Sequence, residues 1–306
     1  MTLTELKYIV AVAREKHFGR AASACFVSQP TLSVAIKKLE DELGVLLFER
    51  GAGEVTVTPA GRGIVEQAQR VLEEAARIKE IAQAGRDPLA GPLRVGAIYT
   101  IGPYLFPKLV PILRREAPSM QLIIHENYTH VLGAMLKQGE VDAIVVALPF
   151  TEHGVETLPL YDEPFMVALP QGHALEKKKS ISADELGRES LLLLGAGHCF
   201  RDQVLDLCAH VHRSGSNMQR ALEGGSLETI RQMVASGVGI TVLPSSSVAP
   251  GNGNDGLIRM RPFAKPVPVR RVALAWRKSF PRPQAIAALR DAILACELPQ
   301  VARLRH

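Results

Sequence analysis

The stretch that most constrains this chain is residues 58–84. Thr58 offers a hydroxyl cap and Pro59 takes the first helical position, where a missing N–H costs nothing. Val65, Ala68, Val71–Leu72, Ala75–Ala76, Ile78 and Ala82 then recur at helical spacing up to Ala84. A helix of about 25 residues is about 40 Å long. The module before it is too small to cover such a stripe, so the spacing predicts pairing with a second copy of the chain. Residues 85–92 (GRDPLAGP) read as a linker. The chain is therefore read in three parts, 1–58, 59–86 and 87–306.

In the first part, residues 4–16 read as a helix capped by Thr4, with Leu6, Ile9, Val10 and Val12–Ala13 at helical spacing. GRAASAC (19–25) is a short second helix that Phe26–Val27 ends. Ser28 caps a third, with Gln29 and Pro30 in its first turn. There Leu32, Ile36 and Leu39 share one face, while Gln29, Thr31, Ser33, Lys37 and Lys38 point elsewhere. Two short helices joined by a tight turn, the second presenting hydroxyls, an amide and lysines, suit insertion into the DNA major groove. An ordinary helical hairpin with a polar face fits the same pattern. RGAGEVTV (50–57) weighs against that alternative, because Gly51 and Gly53 make a turn and Val55 and Val57 alternate as a strand. A hairpin beside such a helix is a wing, and it carries Arg50 toward DNA backbone or minor groove. Ser28, Gln29, Pro30, Thr31, Ser33, Lys37, Lys38 and Arg50 are the candidate DNA contacts.

Charge supports this only locally. The formal net charge is +5, yet residues 1–87 sum to zero. The basic excess lies in Lys7–Lys38, where six Lys and Arg face Glu15 alone. A second basic run, Leu257–Arg290, has nine Lys and Arg and no acid, and reads as a solvated face or as counter-ions for acids elsewhere. No apolar run approaches the roughly 18 residues of a membrane span. Met1–Val10 contains Glu5 and lacks the pattern of a secretory signal. Four Cys in 306 residues do not make a disulfide framework. The expectation is a cytoplasmic chain with reduced thiols and no membrane partner.

From Phe18 to Gly61 the run FGRAAS…VSQPTLSVAIKKLEDELGVLLFER…VTPAG resembles the amino-terminal region of LysR-type transcriptional regulators. The resemblance implies a dimer joined by the long helix, with homotetramers common, and paired recognition helices on a dyad-symmetric site. It also implies RNA polymerase as a partner of an activator or repressor.

The third part alternates strands and helices. Leu93–Ile98, Gln121–His125 and Asp142–Leu148 read as strands, with helices at Pro103–Glu116 and Val131–Gly139. A second block has strands at Phe165–Leu169, Leu191–Leu194 and Gly239–Leu243, and helices after His198 and from Ser226 to Ser236. Arg271–Trp276 and Pro283–Cys296 return as a last strand and helix. Short loops imply a mostly parallel sheet, in two α/β lobes, about 92–164 with 268–306 and about 165–267, separated by a cleft. The LysR resemblance implies a periplasmic-binding-protein-like effector domain here. The whole fold is thus expected to be α/β, with an amino-terminal winged helix-turn-helix and a long dimerisation helix.

GAGHCFRDQVLDLC (195–208) is the informative segment. Cys199 falls at the amino end of a helix, where unpaired N–H groups and the macrodipole favour an anion, and His198 and Arg201 adjoin it. An inert buried cysteine is the alternative. Nine residues separate Cys199 from Cys208. On an intact helix that is about 13.5 Å along the axis and half a turn off register. A disulfide requires Cα atoms within roughly 7 Å. The two cannot bridge unless local structure unwinds, and a bond that forces such a change is a two-state switch.

VGAIYTIGPYLFP (95–107), ENYTHVL (126–132), GHCFRDQVLDLC (197–208), SLETIRQMVASGVGI (226–240) and PVPVRRVALAW (266–276) resemble the peroxide-sensing members of the LysR family. That resemblance implies a peroxidatic Cys199, a resolving Cys208, and a hydrogen peroxide pocket of Thr100, Thr129, His198, Asp202 and Arg270. Asp202, beside Arg201, is expected to organise the helix start. Read without it, the two threonines are loop or cap residues and Arg270 an ion-pair partner. Cys25 and Cys296 read as core. Cys208, His210 and His212 form C-x-H-x-H, but no second ligand pair accompanies them, so no metal and no cofactor is expected. No phosphate loop, His-Glu-x-x-His or Gly-x-Ser-x-Gly occurs, and a regulator rather than an enzyme is expected. The other readings are a regulator that binds a small metabolite in the cleft, and a thiol peroxidase.

Overall fold

A computed structural model describes residues 1–50, 55–84, 87, 89–212, 222–248 and 256–304. It forms two compact units, one within residues 1–87 and 279–281 and one within 88–278 and 282–306.

The first unit is three helices, a two-stranded hairpin and the long helix: α1 (Leu3–Glu15), α2 (Phe18–Ala24), α3 (Gln29–Leu43), β1 (Phe48–Arg50), β2 (Val55–Val57) and α4 (Pro59–Ala84). The cap of α1 is Thr2, not Thr4. Glu5 sits three residues after Thr2, so each side chain can bond the other's backbone N–H, and only Thr2 completes that box. Ser28 caps α3 as expected, and its Oγ accepts from the Thr31 N–H. Leu32, Ile36 and Leu39 are buried with Leu6, Ile9 and Val12 of α1 and Ala21 and Ala22 of α2. Cys25 packs at the edge of this cluster.

The Thr58 hydroxyl donates to the Leu46 carbonyl at 2.7 Å and accepts from the Gly61 N–H at 2.9 Å, which fixes where α4 leaves the hairpin. A Cβ on Gly61 would lie 2.4 Å from the Leu47 carbonyl oxygen, so glycine is required there. Ile64, Val65, Val71 and Leu72 pack against the unit's core, whereas Ile78 is exposed.

The turn between α2 and α3 is closed by Phe26 N–H to Ser23 carbonyl and Val27 N–H to Ala22 carbonyl bonds. That is a Schellman arrangement, which normally places glycine where Phe26 stands. Phe26 has φ +58° and is 96% exposed. Its ring buries nothing, and its Cβ opposes the backbone conformation. Phe26→Gly is therefore expected to stabilise the unit by about 0.5–1 kcal/mol, the relief exceeding the entropy glycine adds to the unfolded chain. Thermal unfolding followed by far-ultraviolet circular dichroism checks this, and a lowered midpoint would refute it.

The second unit contains β3 (Gly91–Ile98), α5 (Gly102–Glu116), β4 (Met120–Asn127), α6 (Thr129–Lys137), β5 (Ala143–Ala147), β6 (Val155–Pro170), α7 (Ala183–Leu186), β7 (Leu193–Leu194), α8 (Cys199–His212), β8 (Glu223–Gly224), α9 (Leu227–Ala235), β9 (Thr241–Pro244), β10 (Ile258–Pro262), β11 (Val269–Arg277), α10 (Pro283–Ala295) and β12 (Ala302–Arg303). Its main sheet runs β10-β6-β11-β5-β3-β4, with β9 and β12 also paired to β6.

The expectation of a mostly parallel sheet is corrected. Only β3–β4 and β3–β5 are parallel among the described pairings of this sheet. β6 and β11 run antiparallel to each other, and β11 to β5. In this sheet helices cross over around β3, β4 and β5; α8 likewise lies between the parallel β7 and β8 of a separate two-stranded sheet. β6 starts ten residues before the expected Phe165. Residues 155–164 pair with β11, and 165–170 pair with β9 and β10, so one strand serves two groups of neighbours. Phe165, Val167 and Leu169 enter a core with Leu191–Leu194, Phe200, Val204, Leu227 and Ile230.

Several of the nine basic residues in the 257–290 run pair with carboxylates. Arg259 bonds Glu176, Arg270 bonds Glu163, Arg271 bonds Asp162 and Arg290 bonds Asp291.

Candidate functional site

In the first unit, Ser28, Gln29, Pro30, Thr31, Lys37 and Lys38 are all exposed, and Ser33 is half-buried. They surround the start and outer face of α3, opposite the buried Leu32, Ile36 and Leu39. The Thr31 hydroxyl lies 2.8 Å from that of Ser28, so the two are presented together. Lys38 is largely exposed, with Glu5 at 4.0 Å. Arg50 ends β1; its side chain and the wing tip 51–54 lie outside the described residues.

In the second unit, Cys199 is the first residue of α8 and is a half-buried free thiol. Gly197, at φ +96°, lets the backbone turn into the helix against the Tyr128 ring, which a Cβ would meet at 3.3 Å. The residues on each side of Cys199 are anchored differently.

His198 is buried. Its ring packs edge-on to Tyr128, centroids 4.8 Å apart, and 6.0 Å from Tyr99. Burial lowers its pKa, and a hydrogen bond with the Gly225 backbone only partly opposes this. The imidazole is therefore held neutral, and its Nε2 is buried without a hydrogen-bond partner. Thr129, next to Tyr128, likewise has a buried, unpartnered Oγ1. Such orphaned polar atoms are costly, and His198 immediately precedes the Cys199 thiol at the amino end of α8.

Phe200, on the other side of Cys199, lies under the Arg270 guanidinium, with Cζ 5.2 Å from the ring centre, and edge-on to Phe165 at 5.0 Å. Arg270 donates to the Thr100 hydroxyl at 2.8 Å and the Thr100 carbonyl at 2.9 Å. Its Nε donates to Glu163 at 2.7 Å, and neither side chain is exposed to solvent. Glu163 also accepts from the Ser246 N–H at 2.8 Å. Thr100, Arg270, Glu163 and Ser246 thus form one buried chain of charge-assisted bonds, which meets the ring of Phe200, the residue after Cys199. Sequence reasoning missed Glu163 and Ser246. The available signal was a carboxylate inside the apolar strand around Phe165.

Asp202 is exposed in the first turn of α8. Arg201, beside it, pairs at 2.9 Å with Glu223. β8 carries Glu223 alongside β7, in parallel register, into reach of that turn. Cys208 is on the same helix, but its side chain lies outside the described residues. Cys296 is buried, donates from Sγ to the Ala292 carbonyl, and has its thiol pushed up to about 11 by burial, so it is inert.

Residues 3–62 match the bacterial regulatory helix-turn-helix model of the lysR family, and residues 86–296 match the LysR substrate binding domain. The chain belongs to the LysR family of transcriptional regulators. Within it, the similarity is to OxyR. The DNA-binding transcriptional dual regulator OxyR of Escherichia coli (strain K12) is 40% identical over 295 residues, covering 96% of this chain and 95% of the relative. A full-length OxyR variant from Pseudomonas aeruginosa is 57% identical, with TM-score 0.83, covering 100% of this chain and 98% of that one. A hydrogen-peroxide-bound cysteine variant of Corynebacterium glutamicum OxyR is 34% identical, with TM-score 0.64, covering 96% of this chain and 91% of that one.

Proposed function

We propose that this protein is a cytoplasmic DNA-binding regulator of the oxidative-stress response, switched by hydrogen peroxide at Cys199. The observation that carries the reading is Cys199 on the first turn of α8, between a buried His198 whose Nε2 has no partner and a Phe200 seated under the Arg270 network. Residues 1–58 bind DNA, 59–86 join two copies, and 87–306 sense the oxidant, with lobes 92–164 plus 268–306 and 165–267. The working species is a homodimer or homotetramer on a dyad-symmetric promoter, in contact with RNA polymerase.

The Cys199 thiolate attacks one peroxide oxygen. The O–O bond breaks, Cys199 becomes a sulfenic acid, and the departing hydroxide takes a proton to leave as water. Thr100, Thr129 and His198 orient the peroxide and Arg270 stabilises the departing charge. Asp202, exposed in the same turn, acts on the helix start rather than on peroxide. The Cys208 thiol then displaces the sulfenic oxygen as a second water, leaving a disulfide.

Mass spectrometry of the peroxide-treated protein tests this. The expected product is a 199–208 crosslink lacking two hydrogens, and in Cys208→Ser a single added oxygen on Cys199. An unmodified Cys199 would sink the reading.

DNA binding is tested separately. Lys37→Ala or Lys38→Ala should weaken binding to all sequences alike and flatten the salt dependence by about one unit of slope. An unchanged slope would remove that lysine from the phosphate contacts.

One observation favours a second reading, reversible binding of a metabolite. A cavity of about 910 Å³ is lined by Pro149, Phe165, Gln203, Asp206, Pro268 and Arg270, and the Gln203 Oε1 is buried without a partner. That reading requires a ligand that shifts DNA occupancy while both thiols stay reduced.

A further inference from the structure

Val34 is 68% exposed, on the helix that carries the candidate DNA contacts. At about 100° per residue it lies some 160° round from Leu32 and Ile36 and about 140° from Leu39. It therefore marks the middle of the face opposite the core. Pro30, Thr31, Lys37 and Lys38 lie one turn away along that face, and all are exposed. A β-branched apolar side chain is a poor choice for a solvated helix face, since it loses rotamer freedom and hydrates badly. No other apolar residue larger than proline shares the centre of this face, so no apolar patch for another protein surrounds it. What surrounds it is hydroxyl and lysine, the chemistry of a nucleic-acid contact.

We infer that Val34 reads the C5-methyl group of a thymine in the major groove, and is a sequence-determining residue of the DNA site. The inference rests on the reading of α3 as the DNA-reading helix. The thymine methyl is the one apolar group on a base edge in that groove, and it distinguishes T·A from C·G without a hydrogen bond. The valine methyls supply an apolar surface for it. Lys37 and Lys38, on either side, fix the helix by phosphate contacts that carry no sequence information themselves. The polar residues Gln29 and Thr31 read neighbouring base edges, so Val34 sets one position within a larger site.

The test uses the full-length protein and a duplex enriched by it from a random-sequence pool. Each thymine of that duplex is replaced in turn by deoxyuridine, which removes only the methyl. At one position per half-site the replacement should weaken binding about fourfold, the effect of one buried methyl-sized group. With Val34→Ser the thymine duplex should bind about as weakly as the uracil duplex does to the parent, and the uracil penalty should vanish. Position 34 is exposed, so the variant folds. An unchanged helical spectrum together with an unchanged salt slope on non-specific DNA confirms it. Uracil tolerated everywhere, or a penalty that persists in Val34→Ser, would overturn the inference while leaving DNA binding intact. If no duplex is enriched, the DNA-reading assignment of α3 falls, and this inference with it.

Discussion

Cys199→Ser should abolish the peroxide-induced change in promoter occupancy and the transcription that depends on it. The expected loss is complete, because a serine hydroxyl is not ionised near neutral pH and does not cleave an O–O bond. Footprints with and without peroxide should be superimposable for the variant. The mutated side chain is half-buried at a helix start and smaller than the parent, so the untreated protein should fold and occupy DNA as before. Cys208→Ser should behave differently, reacting once with peroxide and stopping at an oxidised Cys199. The parent protein should also lose helical signal on oxidation. Its two cysteines are about 13.5 Å apart along α8, about twice the Cα separation a disulfide tolerates. Phe200 and Val204 are buried in the core beneath the first turns of this helix. Joining Cys199 to Cys208 should therefore break core contacts as well as helical bonds, a cost the disulfide has to offset. A full peroxide response in Cys199→Ser would end the proposal.

How much of this was legible in the sequence depends on the range of the signal. Ser28, Pro59 and Ser226 announced helix starts because a cap acts over three residues. The inward face of α3 followed from spacing alone. The cap at Thr2 was misread because Thr4 looks equivalent until Glu5 is counted as a reciprocal partner. Sheet direction was misread for another reason. Alternating helices and strands predict parallel neighbours only where a crossover connects them, and β6 and β11 meet without one. The spacing of Cys199 and Cys208 is local and was fully legible. Their surroundings were not. Arg270 reaches Thr100 across 170 residues and Glu163 across 107, and no periodicity or cap encodes a pairing of that separation. The Tyr128 ring against His198 is of the same kind. The resemblance named Thr100 and Arg270, while only the fold revealed that Glu163 and Ser246 hold them.

That hidden pair carries the second large effect. Arg270→Met should destabilise the second unit by about 3–5 kcal/mol, because it leaves Glu163 charged and buried with the Ser246 N–H as its remaining partner. Glu163→Gln should cost a comparable amount, since it strands the guanidinium instead. The double variant should lose less than the two singles added together. With both charges gone, glutamine still accepts from the Ser246 N–H, and methionine fills space against the Phe200 ring. The molecule has its own reporter for this. Its single tryptophan, Trp276, lies on β11, six residues from Arg270, between Ala143 of β5 and Glu156 of β6. Its fluorescence during urea unfolding follows the second unit and is silent about the helix-turn-helix. Strictly additive losses in the double variant would mean that Arg270 and Glu163 are independent and that the network is not a unit. The same variants separate stability from sensing. Arg270→Met also frees the Thr100 hydroxyl and removes the charge above Phe200, so Cys199 should react with peroxide at least tenfold more slowly, about 1.4 kcal/mol in barrier. Glu163→Gln keeps the guanidinium over Phe200 and should slow the thiol much less than it weakens the fold. Equal slowing by the two would place the carboxylate, and not only the arginine, at the reacting sulfur.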